Sequence, residues 1–197
     1  MVYNYFKMTN FVPGKIVAKI TLKDGSSAVI RYPKWEDLES LLEYTNTISN
    51  EDTFILMSGE ETTFSGQAGY LAGVIDQINN GFGVTVLVIS KNKVIGLCDI
   101  NKIRPNRIRV SHRAALGISI AKDYRGFGIG KILLTETIEQ AKLTLTGLKM
   151  LELTVFEINT KAVNLYQKLG FKIVGKIEGG YYYKGNYETQ LQMILNL

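Results

Sequence analysis

Three glycines alternate over five residues in the second half of the chain. Gly126, Gly128 and Gly130 lie between Arg125 and Lys131, in a segment that we call the glycine loop (residues 125–131). Glycine has no Cβ, so the backbone of such a loop can approach a ligand closely. An amphipathic helical pattern follows, and the N–H groups at a helix start carry partial positive charge. The loop therefore predicts a phosphate site, to which Arg125 and Lys131 add full charges.

Two common glycine motifs for phosphate do not fit this loop. The P-loop motif needs a glycine five residues before Gly130 and a hydroxyl residue after Lys131, but Arg125 and Ile132 occupy these positions. The dinucleotide motif needs glycine at its first, third and sixth positions. The sixth position counted from Gly126 is Lys131. The glycine loop therefore indicates another class of phosphate ligand.

Asn159 and Tyr166 form a second candidate pair, seven residues apart around a predicted helix over 160–169. An asparagine before a helix is a good N-cap. Seven residues correspond to about two helical turns, so the amide and the phenol lie along one side of the helix. Together they could hold and protonate a ligand. The alternative is structural: Asn159 is only a cap, and Tyr166 is a core aromatic residue with a satisfied hydroxyl.

The hydrophobic pattern switches repeatedly between the periods of strands and helices. An Asp-Gly turn at 24–25 predicts an early hairpin. The predicted strands cover 15–22, 28–32, 82–90, 94–103, 107–121, 150–156, 171–178 and 187–195, and the predicted helices begin at 35, 67, 129 and 160. This order predicts an α/β fold of the α+β type: a mixed sheet with packed helices, built from an antiparallel meander and a right-handed β–α–β crossover between 107–121 and 150–156.

Composition excludes several classes of protein. The chain has 197 residues and a formal net charge of +5, which fits one domain and an anionic ligand better than an obligate nucleic-acid binder. Cys98 and His112 are its only cysteine and histidine, so no internal disulfide and no metal site built mainly from these residue types is expected. The sequence has neither an apolar run of membrane-spanning length nor a secretory signal at residues 1–7, which predicts a cytoplasmic protein without membrane association.

Both motifs resemble those of one enzyme family. Residues 125–130 resemble the Arg-x-x-Gly-x-Gly pyrophosphate loop of the GNAT superfamily of N-acetyltransferases. Residues 159–171 are similar to the family segment Asn-x-x-Ala-x-x-Leu-Tyr-x-Lys-x-Gly-Phe at every defined position. The resemblance implies a GNAT-like domain with splayed central strands over residues 31–197. Residues 1–30 are then an N-terminal extension with a β-hairpin.

The resemblance implies that acetyl-CoA is the co-substrate and that an amine attacks its thioester directly. The pantetheine arm would lie between the splayed strands 107–121 and 150–156, and the diphosphate on the glycine loop. Asn159 would hold the pantetheine amide, Tyr166 would be the general acid, and the backbone N–H of Ile120 would stabilise the thioester carbonyl. The residues expected to bind the coenzyme are Ile118, Ser119, Ile120, Arg125, Gly126, Phe127, Gly128, Ile129, Gly130, Lys131 and Asn159.

The motifs define the general base less clearly than the general acid. Many family members carry a glutamate on one of the two splayed strands, and this chain has Thr154 and His112 at its usual positions. His112 has a suitable unperturbed pKa of about 6.5, and Glu152 shares a strand face with Thr154. Both His112 and Glu152 are therefore candidates. The alternatives are an exposed histidine, a salt-bridge partner and a water relay from backbone carbonyls.

The acceptor amine would be set by segments without a diagnostic motif. The acidic segment 51–65 could receive a polyamine, a lysine or a protein N-terminus, or it could be only a solvated loop. The tyrosines of 179–183 could line the acceptor pocket or reflect strand propensity alone. A homodimer is compatible with the sequence.

Two other classes of function are alternatives. A non-catalytic acyl-CoA-sensing domain would keep the glycine loop without needing Tyr166. A nucleic-acid-binding module would use the basic residues around His112, namely Arg104, Arg107, Arg109 and Arg113. The remaining positive charge is dispersed and no nucleic-acid-binding motif is present, so the sequence favours an enzyme.

Overall fold

A computed structural model describes residues 11–197, which form two compact units. The first unit contains the described residues up to Asn101 together with Gly117–Thr146, and the second contains Lys102–Leu116 and Gly147–Leu197. The prediction that the chain has no secretory signal was based on residues 1–7, which lie outside the described residues. Within residues 11–197, no helix combines the length and the apolar character that a bilayer crossing needs.

Eight strands and four α-helices build the two units. The strands are β1 (Ile16–Thr21), β2 (Ser27–Arg31), β3 (Gly83–Ser90), β4 (Lys93–Lys102), β5 (Arg113–Ile120), β6 (Met150–Phe156), β7 (Lys172–Tyr183) and β8 (Asn186–Asn196). The helices are α1 (Leu38–Asn50), α2 (Phe64–Asn79), α3 (Ile129–Thr144) and α4 (Thr160–Lys168). The mixed α/β architecture predicted from the sequence is confirmed.

The sheet of the first unit has the strand order β1-β2-β3-β4, followed by the C-terminal half of β5. The predicted hairpin is present, and its turn is closed by Ser26, which donates to the Asp24 carboxylate through its backbone N–H at 2.9 Å. β2 pairs antiparallel with β3, so the hairpin continues the sheet. The boundary predicted at residue 30 is not tested by these contacts and stays a prediction.

The two faces of β4 pack against different helices. Leu97 packs against the core cluster formed by residues of α1 and α2, whereas Cys98 hydrogen-bonds to Thr137 of α3. Side chains alternate along a strand, so Asp99 shares the face of Leu97. This places a carboxylate on the α1/α2 side of the sheet.

In the second unit the strand order is β5-β6-β8-β7, beginning with the N-terminal half of β5. β5 and β6 are parallel, as the sequence predicted, but their pairing covers only Arg113–Ala115 with Met150–Glu152. β6 pairs antiparallel with β8 along its whole length, from Met150 to Phe156.

The predicted strand 107–121 is shorter than expected, because β5 begins only at Arg113. Bends and turns occupy residues 103–112, with hydrogen bonds from Arg107 N–H to the Arg104 carbonyl and from Val110 N–H to the Arg107 carbonyl, both 3.0 Å. The alternating Arg107–Val110 pattern suggested a strand, but Ile108 is 89% exposed and has no core to cover. His112 consequently lies in the turn before β5 and not on the strand.

Candidate active site

The glycine loop of the first unit has the backbone conformation that its sequence indicates. Gly126 and Gly128 have φ angles of +82° and +81°, a left-handed conformation that side chains with a Cβ rarely adopt. Gly128 is the N-cap of α3, and helical backbone begins at Ile129. Apart from its chain neighbours, no atom of the described residues lies within 4 Å of an ideal Cβ at either glycine, so within the chain itself it is the backbone conformation that requires glycine.

The donors of the loop suit a diphosphate. The first N–H groups of a helix have no carbonyl partner within the helix, and here they follow directly after Gly128. Gly126, Phe127, Gly128 and Lys131 are exposed, while Ile129 is buried in the core and anchors the helix start. The residues present therefore fit a phosphate group by chemistry: backbone donors, a helix N-terminus and one exposed lysine.

Arg125 is fixed by contacts that the sequence did not predict. Its Nε donates to the Ile120 carbonyl at 2.7 Å, and its guanidinium forms an ion pair with Glu51. The same Glu51 accepts a hydrogen bond of 3.0 Å from the Lys122 N–H. Glu51, at the end of α1, thus holds the start of the loop against β5. The contacts of Glu51 are with the loop region, and the two interpretations of its segment, an amine-receiving surface or a solvated loop, stay predictions.

The tip of the N-terminal hairpin lies beside the glycine loop. Lys23 Nζ is 5.1 Å from the centroid of the Phe127 ring, a cation–π distance. A surface cavity of about 330 Å³ is lined there by Leu22, Lys23, Asp24, Asp123, Tyr124 and Phe127. The extension therefore contacts the loop that the sequence assigned to the coenzyme.

The C-terminal half of β5 carries the predicted pantetheine-binding residues Ile118, Ser119 and Ile120, all half-buried. The Ser119 hydroxyl lies 2.8 Å from the hydroxyl of Tyr44, which reaches the strand from α1. Burial raises the pKa of Tyr44, so its phenol stays protonated. This contact assigns Ser119 to the α1/α2 face of the sheet, the same face as Asp99.

Asp99 is a functional candidate that the sequence motifs did not indicate. Burial raises the pKa of the Asp99 carboxyl to about 6. The hydrogen bond from Asn101, whose Nδ2 is 3.3 Å from Oδ1, lowers this pKa by a smaller amount. On β5, a Cβ at Gly117 would lie 3.3 Å from the same oxygen. The one feature of the sequence that could have indicated Asp99 is the presence of a single carboxylate within an otherwise apolar strand.

The helix of the second unit places Asn159 and Tyr166 as the motif suggested. Asn159 caps α4, and its side chain accepts from the Ala162 N–H at 3.3 Å. Tyr166 is buried, with its ring 5.8 Å from that of Phe171. The cap and the aromatic packing are confirmed, and the roles of both residues toward a coenzyme stay predictions.

Of the two predicted bases, Glu152 has a side-chain partner, whereas the hydrogen bonds made by His112 are those of its backbone. Glu152 accepts a hydrogen bond of 3.0 Å from Arg113 Nε and forms an ion pair with the same guanidinium. The backbone carbonyl of His112 accepts from Lys149 N–H and Met150 N–H at 2.8 and 3.1 Å. The geometry of Glu152 is therefore that of the salt-bridge partner which the sequence left as the alternative.

Aromatic residues of β7 cover the end of β6. The rings of Phe156 and Tyr181 are stacked at 4.0 Å, and the Tyr181 hydroxyl donates to Thr154 Oγ1 at 2.8 Å. β7 runs to Tyr183, beyond the predicted end at 178, because Gly179 at φ +65° sits in an irregularity of the pairing and does not end the strand. Thr154, at one usual position of the family's glutamate, is thus hydrogen-bonded to this aromatic group.

Two further features of the described residues limit the chemistry. Cys98 is fully buried, and burial raises the pKa of its thiol, which makes it a poor nucleophile. Residues 11–197 contain no group of three or more His, Cys, Asp or Glu side chains placed to hold a metal ion.

Comparison with known proteins gives the family. The model of the acetyltransferase (GNAT) family matches residues 35–171, well over half of the chain. The chain is also 29% identical over 86 residues to spermidine N(1)-acetyltransferase from Escherichia coli strain K12, a match that covers 44% of this chain and 46% of that protein. The chain thus spans about half the length of this curated relative.

Solved structures agree with the family match. A GNAT-family acetyltransferase from Streptococcus pneumoniae is 31% identical, has a TM-score of 0.77, and is matched over 86% of this chain and 99% of its own. A phosphinothricin acetyltransferase from Sinorhizobium meliloti in complex with acetyl-CoA shares the fold at 20% identity, a TM-score of 0.74, and coverage of 86% and 88%. The chain therefore belongs to the GNAT family of acetyltransferases.

Proposed function

We propose that the protein transfers the acetyl group of acetyl-CoA to a primary amine. The observation that carries this proposal is the glycine loop, with two left-handed glycines leading directly into α3, in a chain of this family. Acetyl-CoA would supply an acetyl group activated as a thioester. Its diphosphate would be held by the N–H groups from Gly126 to Gly130 and by the Lys131 side chain, because the Lys131 N–H donates to the Gly128 carbonyl at 3.1 Å. Its pantetheine amides would be held by β5 and Asn159.

Direct transfer to the amine fits the chain better than a covalent acyl-enzyme. The single thiol, Cys98, is fully buried on the α3 side of β4. A nucleophilic cysteine would need to be accessible and ionised. The amine nitrogen itself is therefore the nucleophile, and the enzyme must position it and manage its protons.

Tyr166 is the proposed proton donor to the departing thiolate. A phenol with a pKa near 10 is protonated at neutral pH and can donate to a thiolate whose conjugate acid has a pKa of about 8.5. The buried position of Tyr166 against Phe171 supports this role by fixing the ring in one orientation. The backbone N–H of Ile120 would stabilise negative charge on the thioester oxygen.

The short pairing of β5 with β6 supports the proposed place of the pantetheine arm. Only three residues of each strand pair, although β5 has eight residues and β6 has seven. The pairing of β5 with β6 does not extend beyond Ala115, and the Ile120 carbonyl accepts from Arg125 Nε at 2.7 Å. We propose that the remaining backbone groups of Ile118–Ile120 bind the pantetheine amides.

An acceptor screen tests the function. Purified protein with acetyl-CoA is offered spermidine first, because of the relative that acetylates it, and then other polyamines, amino acids, aminoglycosides and peptides. We expect thiol release together with one acetylated amine detected by mass spectrometry. Calorimetric binding of acetyl-CoA without turnover on any amine would favour the acyl-CoA-sensing alternative, and no binding at millimolar acetyl-CoA would contradict the proposal.

A further inference from the structure

The proposed function leaves one carboxylate of the first unit unused. Asp99 is half-buried in β4 between Cys98 and Ile100, whose side chains are completely buried. It takes part in none of the ion pairs formed by residues 11–197. A buried carboxylate without a cationic partner is costly to the fold, so its presence needs a reason.

The groups around Asp99 carry no positive charge. Tyr70 approaches from α2, and Asp99 together with burial raises the pKa of its phenol. Thr85 of β3 is the cross-strand partner, and Asn101 lies two residues along the same strand. Gly117 of β5 contributes only backbone. Cys98, on the opposite face of β4, is the other titratable neighbour. These neighbours therefore supply no positive charge to offset that of the Asp99 carboxylate.

Asp99 lies next to the segment of β5 that is proposed to bind the pantetheine arm. Its carboxylate lies against the backbone of Gly117, where an added Cβ would be only 3.3 Å from Oδ1. Gly117 immediately precedes Ile118–Ile120, the residues assigned to the arm. Ser119 shares the α1/α2 face and is held by Tyr44 at 2.8 Å. A cation bound at Asp99 would therefore lie beside this part of β5.

We propose that Asp99 is the general base of the acetyl transfer, and that it binds and deprotonates an aliphatic primary ammonium group on the α1/α2 face of β4. The inference rests on the proposed function and names the class of its acceptor. It replaces His112 and Glu152 as candidates, since Glu152 is already neutralised by Arg113.

The proton balance defines what Asp99 has to do. The ammonium nitrogen loses two protons, a nitrogen–carbon bond forms and the carbon–sulfur bond breaks. Asp99 takes the first proton, which frees the nitrogen lone pair to attack the thioester carbonyl, and later returns this proton to solvent. The second proton replaces the one that Tyr166 gives to the sulfur. One ammonium and one acetyl-CoA thus yield one amide, one CoA thiol and one proton.

The pH dependence follows from the same environment. Burial raises the pKa of Asp99 to about 6, and a base acts only in its deprotonated form. Turnover should therefore fall as the pH drops through about 6. A base with a pKa near the working pH is also the most effective.

The experiment compares Asp99→Asn with Asp76→Asn, both measured with the amine that the acceptor screen identifies. Asp76 is an exposed carboxylate on α2 that accepts a hydrogen bond of 3.0 Å from Asn80, so it controls for the loss of a charge. We expect the kcat of D99N to be about 10²–10⁴ times lower than that of the wild type. Its turnover should no longer fall as the pH drops through about 6, and its calorimetric affinity for acetyl-CoA should be unchanged. D76N should match the wild type.

Hydroxylamine as acceptor separates a proton role from a structural one. It is uncharged at neutral pH and needs no base, so D99N should acetylate it within about threefold of the wild-type rate. An equal loss with hydroxylamine and with the amine would overturn the proposal, as would a D99N enzyme with the wild-type rate and pH profile. Absence of turnover by the wild type on every amine would instead refute the proposed function itself.

Discussion

Asp99 and Glu152 are two carboxylates on strands, and their surroundings give them opposite properties. Glu152 is half-buried in the second unit and is neutralised by the guanidinium of Arg113 on the neighbouring strand. Asp99 is half-buried in the first unit, has no cation beside it, and has its pKa raised to about 6 by burial. The side-chain chemistry is the same, but Glu152 has a cationic partner, whereas Asp99 forms no ion pair within residues 11–197.

The difference shows how neighbouring strands determine the role of a carboxylate. Across β5 and β6, Arg113 stabilises the charge of Glu152 and helps to join the strands at the start of their short pairing. Across β4 and β5, Gly117 leaves room for the Asp99 carboxylate but offers no charge. The first arrangement is structural, and the second is typical of a catalytic group.

The largest expected effect tests the proposed proton donor, Tyr166. Tyr166→Phe keeps the buried ring and removes the hydroxyl, so kcat should fall by about 10²–10⁴. Calorimetric affinity for acetyl-CoA should remain within about twofold. An unchanged kcat would remove Tyr166 from the proton chemistry.

The next effect tests the glycine loop. Gly128→Val forces a β-branched residue into a left-handed conformation, at a cost of about 1–3 kcal/mol, and should weaken acetyl-CoA binding by about tenfold to a hundredfold. Gly147→Val is the matched control, since Gly147 also has a positive φ, of +73°, with open space around its Cβ position, in the turn after α3. If both variants lose the same affinity, the loop is not the coenzyme site.

A third effect concerns the contribution of the Asp99 carboxylate to the free energy of unfolding. Because the pKa of Asp99 is raised from 3.8 to about 6 on folding, the folded chain binds this proton more tightly than the unfolded chain. The free energy of unfolding therefore decreases as the pH rises from about 4 to about 6. Asp99→Asn removes this decrease in the free energy of unfolding, so the variant should be more stable than the wild type by about 1–3 kcal/mol at pH 7–8.

Urea unfolding at several pH values measures this stabilisation. The advantage of D99N should shrink as the pH falls toward 4 and disappear below about pH 3, where the wild-type carboxyl is protonated in both states. A D99N protein that is less stable than the wild type at pH 8 would show that Asp99 makes a stabilising contact in its charged form.

The smallest effect is expected at Glu152. Glu152→Gln removes a partly exposed ion pair with Arg113, which should cost no more than about 1 kcal/mol, and kcat should stay within about twofold of the wild type. Steady-state kinetics with the acceptor amine measure this. A loss as large as that of D99N would restore Glu152 as the base.

Features set by short sequence distances could be predicted well. The hairpin turn at Asp24, the Asn159 cap and the start of α3 after Gly128 all depend on contacts within a few residues. Their residue types leave few conformations, so the pattern was sufficient. The same is true of the nearly continuous apolar, β-branched run that predicted β3.

Contacts between distant segments could not be predicted from a single sequence. Glu51 meets Arg125 across 74 residues, and Tyr44 meets Ser119 across 75. The proximity of Asp99 to Gly117 depends on the order of the strands, which the local pattern does not give. The strand predicted over 107–112 was wrong because alternation alone cannot show whether a core is available to cover Ile108.

The most direct test of the account is the titration of Asp99 itself. The carboxyl ¹³C shifts of aspartate-labelled protein, followed by NMR as the pH is varied, report each pKa separately. We expect one aspartate to titrate near pH 6 and its signal to be missing in D99N. If every aspartate of the wild type titrates below about pH 5, where unperturbed carboxyls do, then Asp99 has no raised pKa and the comparison on which the account rests is wrong.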